Sequence, residues 1–478
     1  MGIATLAAWI AYIAAASRGF PFGQDDYRHL TIARAAFERP QLILGVWARP
    51  LMTLAYMPAS ALGDSAVRAT SVALLFATAA VCWRLAAALE LRLVPAAALF
   101  LVAQPAAMVL GVAALPGTLF AFILAVALLL RLRRHQLAAA IVASLLPLAR
   151  LEGIAVLAIW AAVLTWERRA RLVPVLAAGL VAWMAIGGLV FHDPLHLWHD
   201  NYYGLLGSRY GRTGSLYAFA AWPQAFGPVV GGLAISALAW ARRADRLVLA
   251  TAGGLTTFFW VTWALPAFQS FPTPYYFVSI SVPVALLAHL ALDRVLSQDR
   301  ESWQPGVVIA LLLALVTAVT LVVRPLRVGE HATQGAGLVI VVVGIMALAA
   351  SRHSMHRAVA AAALILAVAA GLYYVRPVPL AGEPLYGRQL ADYVAANSIT
   401  VTLSTTPAFT WYTRQGGDDP GPGFAAWAHV APPGTYIVWD HDWGSGAVAE
   451  PALMAGGWRE VWVRQDRSGA KVVLLRRS

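Results

Sequence analysis

"RLRRHQLAAAIVASLLPLARLEGIAVLAIWAAVLTWERRAR", residues 131–171, holds two apolar runs that meet at a charged turn around Arg150 and Glu152 and are closed at both outer ends by arginines. Each run approaches the roughly 17 to 25 residues that cross a hydrocarbon core. A chain that crosses, turns at Arg150 and crosses back brings Arg131, Arg133 and Arg134 to the same side as Arg168, Arg169 and Arg171. Arginine-rich connections belong on the cytoplasmic side, so the Arg150 turn faces outward.

The pattern extends along the chain. Of 478 residues, 60% are hydrophobic and 12% charged, against about 25% charged in soluble domains, which excludes a globular cytosolic protein. Hydropathy marks about thirteen spans, near 2–18, 66–89, 93–111, 115–131, 135–149, 151–166, 172–191, 226–241, 247–265, 275–292, 306–323, 336–350 and 358–375. Arg242, Arg243, Arg246, Arg352 and Arg357 fall on the same side as the first two clusters. The first span lacks a basic leader, so it reads as an uncleaved anchor with the N-terminus inside. Segments 18–65 and 192–225 and everything after Val375 are then outside. The net charge of +12 suits anionic lipid head groups or phosphates, and the protein is expected to have no nucleic-acid partner. The lone Cys82 excludes a disulfide within the chain and a cysteine-based metal site.

Beyond Arg376 the composition changes. "SITVTLST" (398–405), "TYIVWD" (435–440), "EVWVRQ" (460–465) and "KVVLLRR" (471–477) alternate with period two between Gly- and Pro-rich turns, the mark of strands. "PLYGRQLADYVAAN" (384–397) reads as a helix with Tyr386, Leu390, Tyr393 and Val394 on one face. The fold class is therefore a polytopic α-helical membrane domain, 1–375, followed by a soluble α/β domain, 376–478, on the outer side. No internal repeat is evident.

"GFPFGQDDYRHL", residues 19–30, places Asp25 and Asp26 just beyond the first span. A carboxylate at the bilayer centre costs about 2.5–3.5 kcal/mol, so this pair belongs at the outer interface. The following residues put Leu30, Ala33 and Phe37 on one helical face, as in a helix lying in the head-group plane. Asp26 as an N-cap accounts for one carboxylate and leaves the other unexplained. Adjacent carboxylates beside apolar surface raise each other's proton affinity, which suits a general base. Asp25 and Asp26 with His29 also present ligands for a divalent cation, and spacing leaves both readings open. Asp418 and Asp419, by contrast, lie in the turn "QGGDDPGPG".

These features resemble the polytopic glycosyltransferases of the GT-C superfamily, whose mannosyl- and arabinosyltransferase-like branches use polyprenyl-phosphate sugars. The acidic pair after the first span, "ARPLMTLAYMPASALGDSAVRATSVALL" (48–75), "LARLEGIAVL" (148–157) and "FHDPLHLWHDNYYG" (191–204) are similar to the family's successive motifs, in order. Leu151 stands where the family's R-P-E-G signature has proline, the lysine of its outer loop is absent from 191–204, and Pro274 replaces an arginine before a late span.

The resemblance implies an inverting transfer of a sugar, outside the membrane, from a polyprenyl-phosphate donor to a glycan, lipid or protein hydroxyl. Asp25 or Asp26 is then the base, with Asp25 preferred. The leaving phosphate requires cations, and Arg28, Arg49, Arg150, Arg209 and Arg212 are the candidates, Arg150 foremost. Glu152, His192, Asp193, Tyr202, Tyr203, Tyr275 and Tyr276 are candidates for acceptor or sugar contact. His192, Asp193, His196, His199 and Asp200 crowd one loop and offer a second cation site. Bland readings stand beside these: Arg150–Glu152 as a local ion pair, the tyrosines as an interfacial belt. The expected location is a bacterial cytoplasmic membrane, and no cofactor beyond a divalent cation is implied. The competing class is a transporter or flippase of lipid-linked glycans, although the ionisable residues lie at span ends rather than at the midplane. A noncatalytic assembly subunit would leave the acidic pair without a role.

Overall fold

A computed structural model describes residues 23–199, 225–237, 250–254, 274–297, 364–367, 382–416, 424–441, 448–467 and 469–478, with a few isolated positions. The spans expected at 2–18, 306–323 and 336–350, and most of 247–265 and 358–375, lie outside the described residues, as do Tyr202, Tyr203, Arg209 and Arg212.

Helix α1, Gln24–Ala35, leads through a 3-10 turn, Pro40–Leu44, to α2, Pro50–Leu62, and α3, Asp64–Ala88. Then follow α4, Pro95–Val102; α5, Pro105–Leu110; α6, Pro116–Leu132; α7, Gln136–Ala143; α8, Leu146–Ala149; and α9, Gly153–Trp166. Beyond them lie α10, Val173–Leu176; α11, Ala178–Phe191; α12, His196–His199; α13, Pro228–Ser236; and α14, Ser281–Ser297, entered by a 3-10 segment, Pro274–Ile280. Three described stretches are long and apolar enough to cross a membrane: Asp64–Ala88, Ala170–Phe191 and Tyr276–Arg294. Pro116–Leu132, Gln136–Ala149 and Gly153–Trp166 are apolar but shorter.

The apolar run at 93–111 is not one continuous helix. Pro105 cannot continue the preceding helix, so the run breaks between α4 and α5. Gln104, fully buried at the break, donates to the Ser281 carbonyl at 2.9 Å. The core of this domain is formed by α3 against α4 and α6, and by α14 against α4 and α13.

The C-terminal domain contains α15, Gly382–Ala396; β1, Leu403–Ser404; α16, Pro407–Thr413; α17, Phe424–Val430; β2, Tyr436–Asp440; α18, Glu450–Ala455; β3, Trp458–Gln465; and β4, Lys471–Arg477. The strand order is β1-β2-β4-β3, parallel between β1 and β2 and antiparallel elsewhere. Alternation divides the sheet's faces: Ile437, Trp439, Val473 and Leu475 pack with Phe424, Ala428 and Leu453. Val438, Val472 and Leu474 pack instead with Leu390, Val394 and Phe409. The helix face read from Tyr386, Leu390, Tyr393 and Val394 is the one against this second cluster. The first expected strand shrinks to two residues, because Val401 gives its N–H to the Gln415 side chain rather than to a neighbouring strand.

Helix α1 does not rest bare in a head-group plane. Leu30 and Ala33 are buried, but so are Gln24, Asp26, His29 and Thr31, while Phe37 lies past the helix end and is 53% exposed. The reason is tertiary: α1 is held between α2 and α16. Arg34 donates to the carbonyls of Thr410 and Trp411 at 3.2 and 3.0 Å and lies 4.3 Å over the Trp411 ring. Trp411 in turn donates from Nε1 to Asp64 at 2.6 Å. The α/β domain thus sits on the same face of the molecule as the acidic pair.

Candidate active site

The site begins with how α1 starts. Gly23 is the N-cap, and Asp26, at the third helical position, reaches back to accept the Gly23 N–H at 2.7 Å. Asp26 is therefore the reciprocal half of a capping box rather than the cap itself. A helix separates adjacent residues by about 100°, so the two carboxylates part: Asp25 is exposed and Asp26 is 3% exposed. Burial pushes the Asp26 carboxyl up to about 8, with the Asp25 charge adding to the effect and the N–H groups of Gly23 and Ala114 opposing it. At neutral pH Asp26 is largely protonated.

His29, one turn on, is buried against the Trp47 ring, 5.7 Å between centroids. Burial, and then the positive charges of Arg49, Arg150 and Arg28, push its imidazole down to about 3. It is a neutral ring among three arginines. Arg49 precedes α2 in the left-handed region, φ 54°, where Pro50 starts the helix; that conformation costs a non-glycine residue about 1 kcal/mol or more.

The opposite wall is the turn between α8 and α9. Arg150 donates from Nη2 and Nε to the two oxygens of Glu152 at 2.7 and 3.2 Å. Its guanidinium lies 4.9 Å from the Tyr276 ring centroid. The side chains of Arg150 and Glu152 are only 11% and 17% exposed. Burial works against ionisation of Glu152, yet Arg150 and then Arg49 outweigh it and hold the carboxyl near 2. The tightness of the turn depends on Gly153, whose Cβ, were there one, would meet the Leu146 carbonyl carbon and Pro147 nitrogen at 2.5 Å.

These elements converge. Tyr276 lies within electrostatic reach of Arg150, Glu152, Asp25 and Arg49, and His29 within that of Arg28, Arg49 and Arg150. Asp25, Asp26, Arg28, His29, Arg49, Arg150, Glu152 and Tyr276 are thus one constellation drawn from four parts of the chain. Tyr275 shares the 3-10 segment of Tyr276.

His192 and Asp193 form a separate cluster beyond α11. His192 is exposed in the left-handed region, φ 55°. Asp193 is tied locally, accepting the Leu195 N–H at 2.9 Å and pairing with His199 at 2.7 Å. His196 is buried against Phe191 instead. Asp200 lies outside the described residues. Among the described residues, no three His, Cys, Asp or Glu side chains gather to hold a metal.

Sequence reasoning missed the clamp on α1. Gln24 accepts the Ala408 N–H at 3.3 Å, and the Tyr27 hydroxyl meets that of Tyr412 at 2.6 Å. No periodic signal marks pairs nearly four hundred residues apart.

No family model and no curated protein matches the chain. Two solved structures of ArnT from Cupriavidus metallidurans are similar to it. The one bound to undecaprenyl phosphate is 18% identical with a TM-score of 0.58, over 99% of this chain and 97% of that chain. The apo structure is 16% identical with a TM-score of 0.60 over the same shares. The likeness is one of fold: the chain has an ArnT-like polytopic membrane architecture.

Proposed function

We propose that the chain is a membrane glycosyltransferase that moves a sugar from a polyprenyl-phosphate donor to an acceptor hydroxyl on the extracytoplasmic face of a bacterial inner membrane. The observation that carries the reading is the constellation itself: an exposed carboxylate, Asp25, beside a buried and largely protonated one, facing Arg49 and the Arg150–Glu152 turn. A fold shared with a protein solved with undecaprenyl phosphate bound supports a polyprenyl-phosphate donor.

Asp25 takes the proton of the acceptor hydroxyl. The acceptor oxygen bonds to the anomeric carbon as the bond from that carbon to the phosphate oxygen breaks, and a single displacement inverts the centre. Charge grows on the departing phosphate, where preorganised cations are worth most. Arg49 and Arg150 are the groups for that role, with Arg28 beside them. Glu152 holds the Arg150 fork against Tyr276, and a planar guanidinium suits phosphate oxygens. His29, neutral, adds no competing charge. Glu152 and Tyr276 are also the described groups placed to meet sugar hydroxyls. A mannosyl or arabinosyl donor, as the sequence motifs imply, belongs to the same proposal.

The test is transfer by purified protein in liposomes supplied with radiolabelled polyprenyl-phosphate sugars. Transfer that Asp25→Asn abolishes supports the enzyme. Transbilayer movement of the lipid-linked sugar without transfer would overturn it in favour of a flippase.

A further inference from the structure

Helix α9 leaves the Arg150–Glu152 turn and runs 14 residues to Trp166, about 21 Å at 1.5 Å per residue. Its far end therefore lies on the face opposite the carboxylates. There it meets the end of α6, and the two helices finish alike. His135 donates to the Leu130 carbonyl and Arg169 to that of Leu164, with Arg134 and Arg168 in the left-handed position, φ 65° and 58°, each a Schellman turn. Arg131 locks the two ends together through two hydrogen bonds to Glu167, 2.6 and 3.1 Å. Glu167 is thereby engaged by Arg131.

Between the two ends opens a cleft of about 650 Å³, lined among others by Arg134, His135, Leu137, Arg169, Arg171 and Leu172. Among the described residues no carboxylate lines it, and Arg134, Arg169 and Arg171 have no ion-pair partner. Helix dipoles account for cations at the ends of α6 and α9. They do not account for Arg171, which stands at the start of the next helical run, Ala170–Leu176, where positive charge is unfavourable. Three guanidinium groups around an open cleft with leucines in its wall match a phosphate ester on an apolar stem.

We propose that this cleft binds the phosphate head group of an anionic phospholipid, independently of the transfer site. The arginines take the phosphate oxygens, and Leu137 and Leu172 face the glycerol-acyl junction. Basic groups at a membrane surface draw such lipids, and here three of them line one open cleft.

Full-length purified protein in an uncharged detergent is titrated with phosphatidylglycerol, with phosphatidylcholine of the same chains, and with inorganic phosphate, and bound lipid is counted by native mass spectrometry. Phosphatidylglycerol is expected to bind at least tenfold more tightly than phosphatidylcholine. The triple variant Arg134→Gln, Arg169→Gln, Arg171→Gln should weaken it about tenfold, while Arg459→Gln on β3 leaves it unchanged. Equal retention of the two lipids by the wild type overturns the proposal whether or not the triple variant folds. So does a folded triple variant that keeps phosphatidylglycerol, or displacement of that lipid by low-millimolar inorganic phosphate, which would mark a free-anion site.

Discussion

The Tyr27 hydroxyl lies 2.6 Å from the Tyr412 hydroxyl, joining the helix of the acidic pair to a domain that follows it by 385 positions. The bond is part-buried, and a net contribution of about 0.5–1.5 kcal/mol is usual for such pairs. Tyr27→Phe, Tyr412→Phe and the double variant form a thermodynamic cycle. Thermal unfolding should return a coupling in that range. Because α1 also leans on Trp411 through Arg34, Trp411→Ala should lower the turnover of sugar transfer more than it raises the donor KM.

The two aspartates should fail differently. Asp25→Asn removes the exposed base and should lower transfer by about 10² to 10⁴, the usual worth of a general base. Asp26→Asn keeps an uncharged group where the carboxyl is already largely protonated at neutral pH, so its loss in rate should be at least tenfold smaller. Initial rates on one donor at saturating acceptor make the comparison. Equal losses would move the base to Asp26 or to both.

Asp26 also dictates a pH dependence of stability. Its carboxyl rises from 3.8 to about 8 on folding, so the folded state binds more protons than the unfolded one between those values. Stability then falls as pH climbs from about 4 to about 8 and levels off above, because ionising the buried group is what costs energy. Thermal unfolding of wild type and Asp26→Asn across that window should show the variant flatter, with its advantage growing toward high pH. Parallel curves would contradict the burial of Asp26.

Much of this architecture was legible. The strands β2, β3 and β4 announce themselves by period-two alternation between turns, and α15 by its Tyr386–Val394 face, because each pattern is local and each face is buried against one neighbour. The constellation was legible in its members, since charge at the ends of apolar runs is costly without a partner. What escaped is non-local. An apolar run shows no period that reveals a break, so 93–111 read as one unbroken stretch although Pro105 divides its helix. The amphipathic reading of α1 failed because α16, remote in sequence, covers the polar side. Its capping was misassigned because Gly23 contributes only a backbone.

Arg150 and Glu152 distinguish a phosphate site from a local ion pair. Arg150→Lys keeps the charge and loses the planar fork that reaches both Glu152 oxygens. If the turn only holds structure, unfolding temperature and activity should fall together. The phosphate role predicts instead that transfer, measured on the protein that remains folded, drops at least tenfold beyond what the loss of folded protein accounts for, since disturbing a buried pair costs stability as well. Glu152→Gln should behave similarly, and at low pH the wild type should approach it, since the stabilisation from a Glu152 carboxyl held near 2 is lost as pH falls from about 4.5 toward 2.

Gly153 offers the test that touches no charge. A methyl there would lie 2.5 Å from the backbone of Leu146 and Pro147, and backbone cannot yield as a flexible side chain does. Relief requires α8 and α9 to part, at a cost of about 1–3 kcal/mol, the usual range for overpacking. The same parting moves the turn that aims Arg150 at Tyr276. Gly153→Ala should therefore lower the unfolding temperature and, in the protein that remains folded, reduce transfer with the acidic helix intact. Adding Leu146→Gly should not restore activity, since the clash is with the Leu146 carbonyl rather than its side chain; full activity in Gly153→Ala alone would show that the turn geometry is not what positions the arginine.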